Sequence, residues 1–319
     1  MSKLITFVAL LGGLLVVMFE NFLSKYFYEP DFLCRLLSLI LSPLAIIYSF
    51  IIKFKFFFRK KEIDFKIPII SVGNLVVGGS GKSPLTKAIY EFFKSKGKRA
   101  FIVLRGYKRK SKGCIVVCEN SQILVSTSVS GDEAMDYALN GANVIVSEDR
   151  KEGILKAIEH GADVVILDDG FRHFEIKKFD ILLRPFKEPK SDFCLPSGAY
   201  RMPKSFYKLA DFIPENSDIE RKTKILNPTE KMVLVSGIAN PSRLSEFYAN
   251  CVAYYHFGDH YDFSSDELQK ILAKHGATSL LVTSKDYAKI KDFGLPLSII
   301  KLEIILSQNF KKMLETCVK

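Results

Sequence analysis

Short apolar runs alternate with amphipathic segments from residue 67 onward, and this pattern predicts an α/β fold. An apolar run bounded by polar and glycine residues predicts a buried strand, whereas apolar residues at helical spacing predict a helix packed on one face. In the first series, strands are predicted at 67–72, 100–104, 143–147, 163–167 and 179–183, helices at 131–139 and 150–159, and a short antiparallel excursion at 114–125.

A stretch rich in proline and lysine follows Arg184 and separates this series from a second one. Strands are predicted at 232–236, 252–257 and 279–283, with helices at 241–249 and 264–275. Each series has enough alternating elements to form its own core, so we predict two α/β domains.

The most informative stretch is residues 69–86, where an apolar strand runs into a glycine-rich turn and then an amphipathic helix. Glycines allow successive backbone N–H groups to point at one anion, and the helix N-terminus adds partial positive charge. Val76 stands where the usual phosphate-loop pattern has its first glycine, so an ordinary loop is the competing interpretation. We favour phosphate binding, with nucleotide contacts from Gly78, Gly79, Ser80, Gly81, Lys82 and Ser83.

Two carboxylates follow the apolar run at 164–167, at the predicted carboxyl end of a strand. In phosphate-loop enzymes an acid in this position holds the Mg²⁺ ion that the loop hydroxyl also binds. Asp168 and Asp169 are therefore candidate Mg²⁺ ligands together with Ser83, although aspartates at strand ends are common.

Three further residues could take part in phosphoryl transfer. Asp132 lies at a predicted helix start, where it could accept the proton of an acceptor hydroxyl or serve as a simple N-cap. Arg201 lies in a segment rich in glycine and proline that could form a mobile lid, but it could also be a solvated arginine. His260 follows a predicted strand, where a histidine can orient an acid or a base.

Two apolar runs precede the α/β region. Residues 4–19 are apolar without interruption but shorter than the roughly 20 residues of a membrane span. We interpret them as an uncleaved anchor rather than a signal peptide. Residues 36–52 contain Pro43 and lead into a mixture of aromatic and cationic residues at 53–61, which suits a lipid headgroup interface. The competing interpretation is a core helix with a solvated basic tail.

The chain carries a net charge of +11, from 46 basic and 35 acidic residues, so an anionic partner is expected. The charge is concentrated at 53–61 and 105–112, and no nucleic-acid-binding module is recognisable, which disfavours a nucleic-acid partner. The six cysteines lack metal-binding spacing, so we predict a reducing compartment and no structural metal.

At this point the motifs match a family. Residues 72–83, with the sequence VGNLVVGGSGKS, resemble the phosphate loop of the tetraacyldisaccharide 4'-kinases of lipid A biosynthesis, which also lack the first glycine. Further matches follow in the family's order: RGY at 105–107, GDE at 131–133, SEDR at 147–150, DDGFRH at 168–173, LPSGAYRMP at 195–203, SGIANP at 236–241, FGDH at 257–260 and TSKD at 283–286.

This resemblance implies a lipid kinase that uses ATP and Mg²⁺. It would phosphorylate the 4'-hydroxyl of an acylated glucosamine disaccharide 1-phosphate, forming lipid IVA, at the cytoplasmic face of the inner membrane of Gram-negative bacteria. The implied fold is two α/β/α sandwich domains joined by a two-stranded linker, with an N-terminal helix at the bilayer. We expect a membrane-associated segment at 1–61, a kinase core at 62–180 with 303–319 returning to it, linker strands at 181–185 and 297–302, and a second lid domain at 186–296.

The resemblance also implies roles for individual residues. Lys82 would bind the phosphates, and Asp132 would be the general base, coupled to His260. Arg201 would act from the lid. The metal set would be Ser83, Asp169, Glu133 and Asp168, the last two also supporting the geometry of the acceptor. The basic loop residues Arg105, Lys108 and Arg109 are candidates for the lipid 1-phosphate, unless this loop is merely solvated.

The chain departs from the family pattern at Arg172, where Gln is usual, and at Met202, where Glu usually follows the lid arginine. Neither position is an assigned base or metal ligand, so we expect the chemistry to be retained. The family mostly lacks a counterpart of residues 1–30, so we expect this segment to be an addition, either an added anchor or the result of an upstream start codon. The alternative function is a membrane-tethered nucleotide switch or ATPase without a lipid substrate, which would leave the FGDH and lid motifs unexplained.

Overall fold

Two β-sheets organise the computed structural model, which describes residues 22–59, 62–78, 80–238, 241–258 and 261–318. Each sheet is the centre of one compact unit. The first unit comprises Arg35–Lys222 together with the C-terminal residues from Glu303 onward, and the second comprises Thr223–Leu302 with the described residues up to Cys34. Two sheets with helices between their strands confirm the predicted α/β class.

The first unit contains a seven-stranded sheet in the order β4-β3-β5-β2-β6-β1-β7. The neighbouring pairs from β5 to β7 are parallel, whereas β3 and β4 are antiparallel additions at one edge, as the sequence predicts. The strands are β1 (Ile69–Asn74), β2 (Ala100–Leu104), β3 (Ile115–Glu119), β4 (Gln122–Ile123), β5 (Val144–Val146), β6 (Val164–Asp168) and β7 (Phe179–Leu183).

The central position of β1 places the candidate chemistry at one edge of this sheet. All six of its residues are buried, and its parallel partners are β6 and β7. Val72 is in register with Asp168, so the carboxyl ends of β1 and β6 lie side by side. The glycine-rich turn and the Asp168–Asp169 pair leave the sheet at this shared edge.

Helices pack on the sheet through the faces on which the spacing of their apolar residues collects the apolar side chains. In α2 (Lys82–Ser95), the side chains of Leu85, Ile89 and Phe93 are buried, and Pro84 sits in the first turn, where its missing N–H has no intrahelical partner. The other helices up to this point of the chain are α1 (Phe32–Phe57), α3 (Thr127–Ser130), α4 (Asp132–Leu139) and α5 (Arg150–Glu159); residues 22–28 are also helical.

The second unit is built on a five-stranded sheet in the order β10-β9-β11-β12-β8. Its elements are β8 (Ile219–Leu226), β9 (Met232–Ser236), β10 (Cys251–His256), α6 (Ser265–His275), β11 (Ser279–Thr283), α7 (Ser284–Ile290) and β12 (Leu297–Leu306). Residues Pro241–Asn250 form 3₁₀ turns where an α-helix was predicted. The chain ends in α8 (Gln308–Thr316), which belongs to the first unit and is capped by the Ser307 side chain.

The predicted boundaries between the domains differ from the structure in two places. Residues 181–183 are not a linker, because they belong to β7 and pair with β1. Residues 186–222 group with the first unit rather than the second. The strands that continue from one unit into the other are β8 and β12.

Among the described residues, α1 is the helix long and apolar enough to cross a membrane. It continues through Pro43, and only 6% of its most apolar window is buried. A core helix would bury these side chains, so the core-helix interpretation is wrong. Its most exposed apolar side chains are Phe32, Leu33, Leu39, Phe50 and Phe57. The predicted anchor at 4–19 and the cations Lys60 and Lys61 lie outside the described residues.

Candidate active site

The glycine-rich turn connects β1 to α2 and leaves the N-terminus of α2 open. Gly78 and Gly81 have φ angles of 98° and 83°, in the left-handed region that glycine adopts without strain. The N-cap residue of α2 is Gly81, which has no side chain to cap the helix, so the first N–H groups of α2 are suited to binding an anion. The predicted strand, turn and helix are thus present; Gly79 itself lies outside the described residues.

The segment that carries Arg201 is fixed to this turn by backbone pairing. The N–H of Arg201 donates to Leu75 O at 2.7 Å, and the N–H of Val77 donates to Ala199 O at 2.9 Å. Val76 and Tyr200 form a bridge between them and are both buried. Arg201 therefore lies in the same unit as the turn, and its expected place in a lid of the second domain is wrong.

Asn74, at the carboxyl end of β1, joins the candidate residues into one polar cluster. Its Oδ1 accepts from Lys82 Nζ at 3.0 Å and from Arg201 Nη2 at 2.6 Å. The same guanidinium binds Asp169 with two parallel hydrogen bonds, of 3.0 Å from Nη1 and 2.9 Å from Nη2. Lys82, Arg201 and Asp169, predicted from separate motifs, are thus brought together.

No role was predicted for Asn74, although it lies inside the matched motif. A polar residue that ends a buried strand beside a phosphate loop was the signal available in the sequence.

In the turn after β6, the carboxylates of Asp168 and Asp169 have different hydrogen-bond partners. Asp169 has a φ angle of 54°, a left-handed conformation that aspartate tolerates better than most residues. Its N–H donates to Val72 O at 2.9 Å, which ties the turn to β1. Asp168 Oδ2 accepts from the Tyr137 hydroxyl at 2.8 Å, and Asp168 Oδ1 is buried with no hydrogen-bond partner.

Burial and charge shift the pKa values of this cluster in opposite directions. Burial, with the negative charge of Glu133, raises the pKa of Asp168 to about 6. Burial also opposes ionisation of Asp169, but the Arg201 hydrogen bonds and the Lys82 charge outweigh it and hold its pKa at about 2. Burial lowers the pKa of Lys82, against the attraction of Asp169.

The donor set fits Mg²⁺, a hard cation that binds one or two carboxylates and completes its coordination with waters and phosphate oxygens. Ser83 supplies a hydroxyl at the start of α2, and the unpartnered Oδ1 of Asp168 supplies a carboxylate oxygen. Within the described ranges, no group of three or more His, Cys, Asp or Glu side chains could hold a metal by itself. A metal held jointly with nucleotide phosphates is consistent with this arrangement.

Asp132 is the first residue of α4 rather than its N-cap. The cap position is Gly131, whose φ angle is 84° and where a Cβ would come within 2.8 Å of Tyr107 O. The simple N-cap interpretation of Asp132 is therefore wrong, and both Asp132 and Glu133 lie half-buried in the first turn of the helix. His260 lies outside the described residues.

The basic loop at 105–113 is less free than its composition suggests. The Arg109 side chain is buried, forms an ion pair with Glu148 and donates to Gly113 O. Arg105 and Lys108 are exposed. An anion at this loop would therefore meet Arg105 and Lys108, whereas Arg109 holds the loop in place.

Comparison with known proteins identifies the relatives of this chain. The family model described as tetraacyldisaccharide-1-P 4'-kinase (LpxK) matches residues 37–230 and 214–319. The tetraacyldisaccharide 4'-kinase of Campylobacter jejuni (serotype O:2) is 49% identical over 304 residues, covering 94% of this chain and 97% of that protein. The enzyme of that name from Helicobacter pylori (strain 26695) is 47% identical over 289 residues, covering 89% and 91%.

A solved structure from the same family is also similar to this chain. The crystal structure of LpxK from Aquifex aeolicus in complex with ATP matches with a TM-score of 0.76 and 29% identity, covering 89% of this chain and all of that one. Since the Campylobacter alignment covers 94% of this chain, it includes part of residues 1–30. The expectation that this segment is an addition is therefore wrong for that relative.

Proposed function

This chain belongs to the tetraacyldisaccharide-1-P 4'-kinase family, and we propose that it transfers the γ-phosphate of ATP to the 4'-hydroxyl of a tetraacylated glucosamine disaccharide 1-phosphate. The observation that carries this proposal is the convergence of Lys82, Arg201 and Asp169 on Asn74 beside an open helix N-terminus. Phosphoryl transfer depends on positioning and on stabilising charge around the phosphoryl group, and this cluster offers cations and N–H groups at one point.

We assign the phosphates to Lys82 and to the N–H groups at the start of α2. Mg²⁺, when bound, would neutralise charge on the β- and γ-phosphates, and Ser83 and Asp168 would hold it. The geometry separates the two aspartates: Asp168 has a free oxygen for the metal, whereas both oxygens of Asp169 bind Arg201. Asp169, which the resemblance implies as a metal ligand, would instead orient the Arg201 guanidinium toward the charge that develops on the transferred phosphoryl group.

We propose Asp132 as the group that accepts the proton of the 4'-hydroxyl. It is half-buried in the first turn of α4, directly after the glycine turn that packs on Tyr107. Glu133 would raise the negative charge around the metal site, as its effect on Asp168 indicates. The role of His260 as the partner of Asp132 is proposed from the resemblance alone.

The lipid acceptor requires an enzyme at a bilayer, and α1 supports this part of the proposal. Its exposed apolar side chains would enter the acyl region, and Lys53, Lys55 and Arg59 at its carboxyl end would meet anionic headgroups. The cationic end would place the enzyme at the cytoplasmic face of the inner membrane.

Labelled ATP tests the proposed reaction. The protein in detergent micelles is incubated with ATP labelled at the γ-phosphate, with and without the tetraacyl disaccharide 1-phosphate. We expect acceptor-dependent label in the lipid fraction. Label found only in inorganic phosphate, at the same rate with and without the lipid, would instead support a nucleotide switch or ATPase.

A further inference from the structure

Tyr137 lies where three elements of the candidate site meet. It belongs to α4, which begins with Asp132, and its side chain is fully buried. Its hydroxyl donates to Asp168 Oδ2 at the end of β6, at 2.8 Å. Its ring also lies beside the Lys87 ammonium of α2. One phenol therefore contacts the proposed metal ligand Asp168 from a helix that carries the proposed base.

The hydrogen bond to Tyr137 decides which oxygen of Asp168 is left free. A carboxylate in an apolar interior needs a partner for each oxygen, because an unpaired buried charge is costly. Oδ2 has Tyr137, whereas Oδ1 is buried and has no partner. By holding Oδ2, the phenol fixes the rotation of the carboxylate and presents Oδ1 as the remaining ligand atom.

The position of Tyr137 is itself fixed by an ion pair between α2 and α4. Lys87 Nζ binds Asp136 Oδ2 at 2.7 Å, and the two side chains are only 23% and 9% exposed. The same ammonium lies 5.8 Å from the centre of the Tyr137 ring. Lys87 lies one helical turn after Ser83 in α2, and Asp136 lies one helical turn after Asp132 in α4. The ion pair therefore holds the first turns of the two helices next to each other.

We propose that Tyr137 is a positioning residue for the metal-bound nucleotide, which holds the Asp168 carboxylate so that Oδ1 faces the metal. The proposal rests on the assignment of Asp168 and Ser83 to the metal made above. Outer partners that orient metal ligands typically contribute about 10- to 100-fold to metal affinity. At an apolar helical position Tyr137 resembles a core residue in the sequence, so only its hydroxyl contacts reveal this role.

The test measures Mn²⁺ binding by the full-length Tyr137→Phe protein in the presence of ATP. The electron paramagnetic resonance signal of free Mn²⁺ reports how much of the metal remains unbound. The substitution keeps the ring and removes the hydroxyl. We expect a dissociation constant raised about 10- to 100-fold, with unchanged binding of ATP in the absence of metal.

Tyr90→Phe is the matched control. Tyr90 is a buried tyrosine of α2 whose hydroxyl accepts from Asn143 N at 3.1 Å and donates to Gly141 O at 3.4 Å. Its loss should lower stability without changing Mn²⁺ affinity. An equal loss of Mn²⁺ affinity in both variants would overturn the proposal, because it would show a general effect of losing a buried hydroxyl.

Two further results separate this proposal from its premise. Normal Mn²⁺ affinity in Tyr137→Phe together with weak affinity in Asp168→Asn would overturn the role of Tyr137 alone. Normal affinity in Asp168→Asn would overturn the metal assignment itself. If circular dichroism shows that Tyr137→Phe does not fold, Asp136→Asn loosens α4 from α2 while leaving Tyr137. We expect a smaller loss of Mn²⁺ affinity there, and no loss would contradict the proposal.

Discussion

At the scale of single residues, the site depends on one polar cluster around the carboxyl end of β1. Asn74 accepts from both Lys82 and Arg201, and Asp169 binds the same arginine with two hydrogen bonds. Paired hydrogen bonds from an arginine to a carboxylate fix the plane of the guanidinium as well as its position. The arginine is thus aligned by protein groups before any phosphate is present.

Substitutions of the two neighbouring aspartates are therefore expected to have different effects. Asp168→Asn should weaken Mn²⁺ binding in the presence of ATP by at least about tenfold, because it removes a charged ligand. Asp169→Asn should leave Mn²⁺ binding within a few-fold of wild type but lower the rate of transfer, because Arg201 loses its bidentate partner. Metal titrations and single-turnover transfer measure the two effects. Loss of metal binding in Asp169→Asn alone would reverse the assignment.

At the scale of elements, local pattern predicted most strands and helices, and long-range pairing explains what it missed. The strand, turn and helix at 69–95 follow from apolar runs and glycines that lie next to each other in the sequence. Arg201 was misplaced because its position depends on backbone pairing with Leu75, more than a hundred residues earlier. Strand β8 was missed because five of its eight residues are exposed, including Arg221 and Lys222, so no apolar run marks it.

Strand β7 carries a buried carboxylate that should make stability depend on pH. Asp180 forms an ion pair with Lys178 at 3.2 Å, and burial, opposed by the Lys178 charge, raises the pKa of Asp180 to about 6. Between about pH 4 and 6 the folded state therefore binds a proton that the unfolded state releases, so the free energy of unfolding falls as pH rises.

The Asp180→Asn substitution should remove this pH-dependent part of the free energy of unfolding. We expect denaturant unfolding of wild type to show a decrease in the free energy of unfolding from pH 4.5 to 6.5, and a flatter profile in the variant. Asp292→Asn is the control, because the Asp292 side chain is 83% exposed. Identical slopes in wild type and Asp180→Asn would show that Asp180 does not titrate in this range.

At the scale of the whole molecule, the chain combines the proposed catalytic cluster with a helix suited to a lipid surface. The polar cluster around Asn74 and the part of α1 from Arg35 onward belong to one unit, in which the Tyr48 hydroxyl of α1 donates to Arg201 O at 3.0 Å. The surface that would meet the bilayer is therefore connected directly to the segment that carries the proposed catalytic arginine. This arrangement suits an enzyme whose acceptor remains in the membrane.

Charges placed on the exposed face of α1 should weaken membrane binding. Ile40→Asp with Ile47→Asp should lower the fraction that floats with anionic vesicles, because a carboxylate in the acyl region costs about 2.5–3.5 kcal/mol. Flotation is measured for the full chain and for a chain that starts at Phe22, so that residues 1–21 do not mask the effect. Leu155→Asp, at an equally exposed leucine of α5, is the control. Equal flotation of all variants would contradict the proposal that α1 is the membrane-binding surface.

The most direct test of the account is single-turnover transfer of labelled phosphate to the lipid acceptor by Asp132→Asn, alongside wild type. A general base typically contributes about 10²- to 10⁴-fold to the rate. We predict a loss in this range with ATP affinity unchanged, since Lys82 and the N-terminus of α2 are intact. Transfer to the 4'-hydroxyl at the wild-type rate would contradict the assignment of Asp132 as the base and, with it, the proposed mechanism.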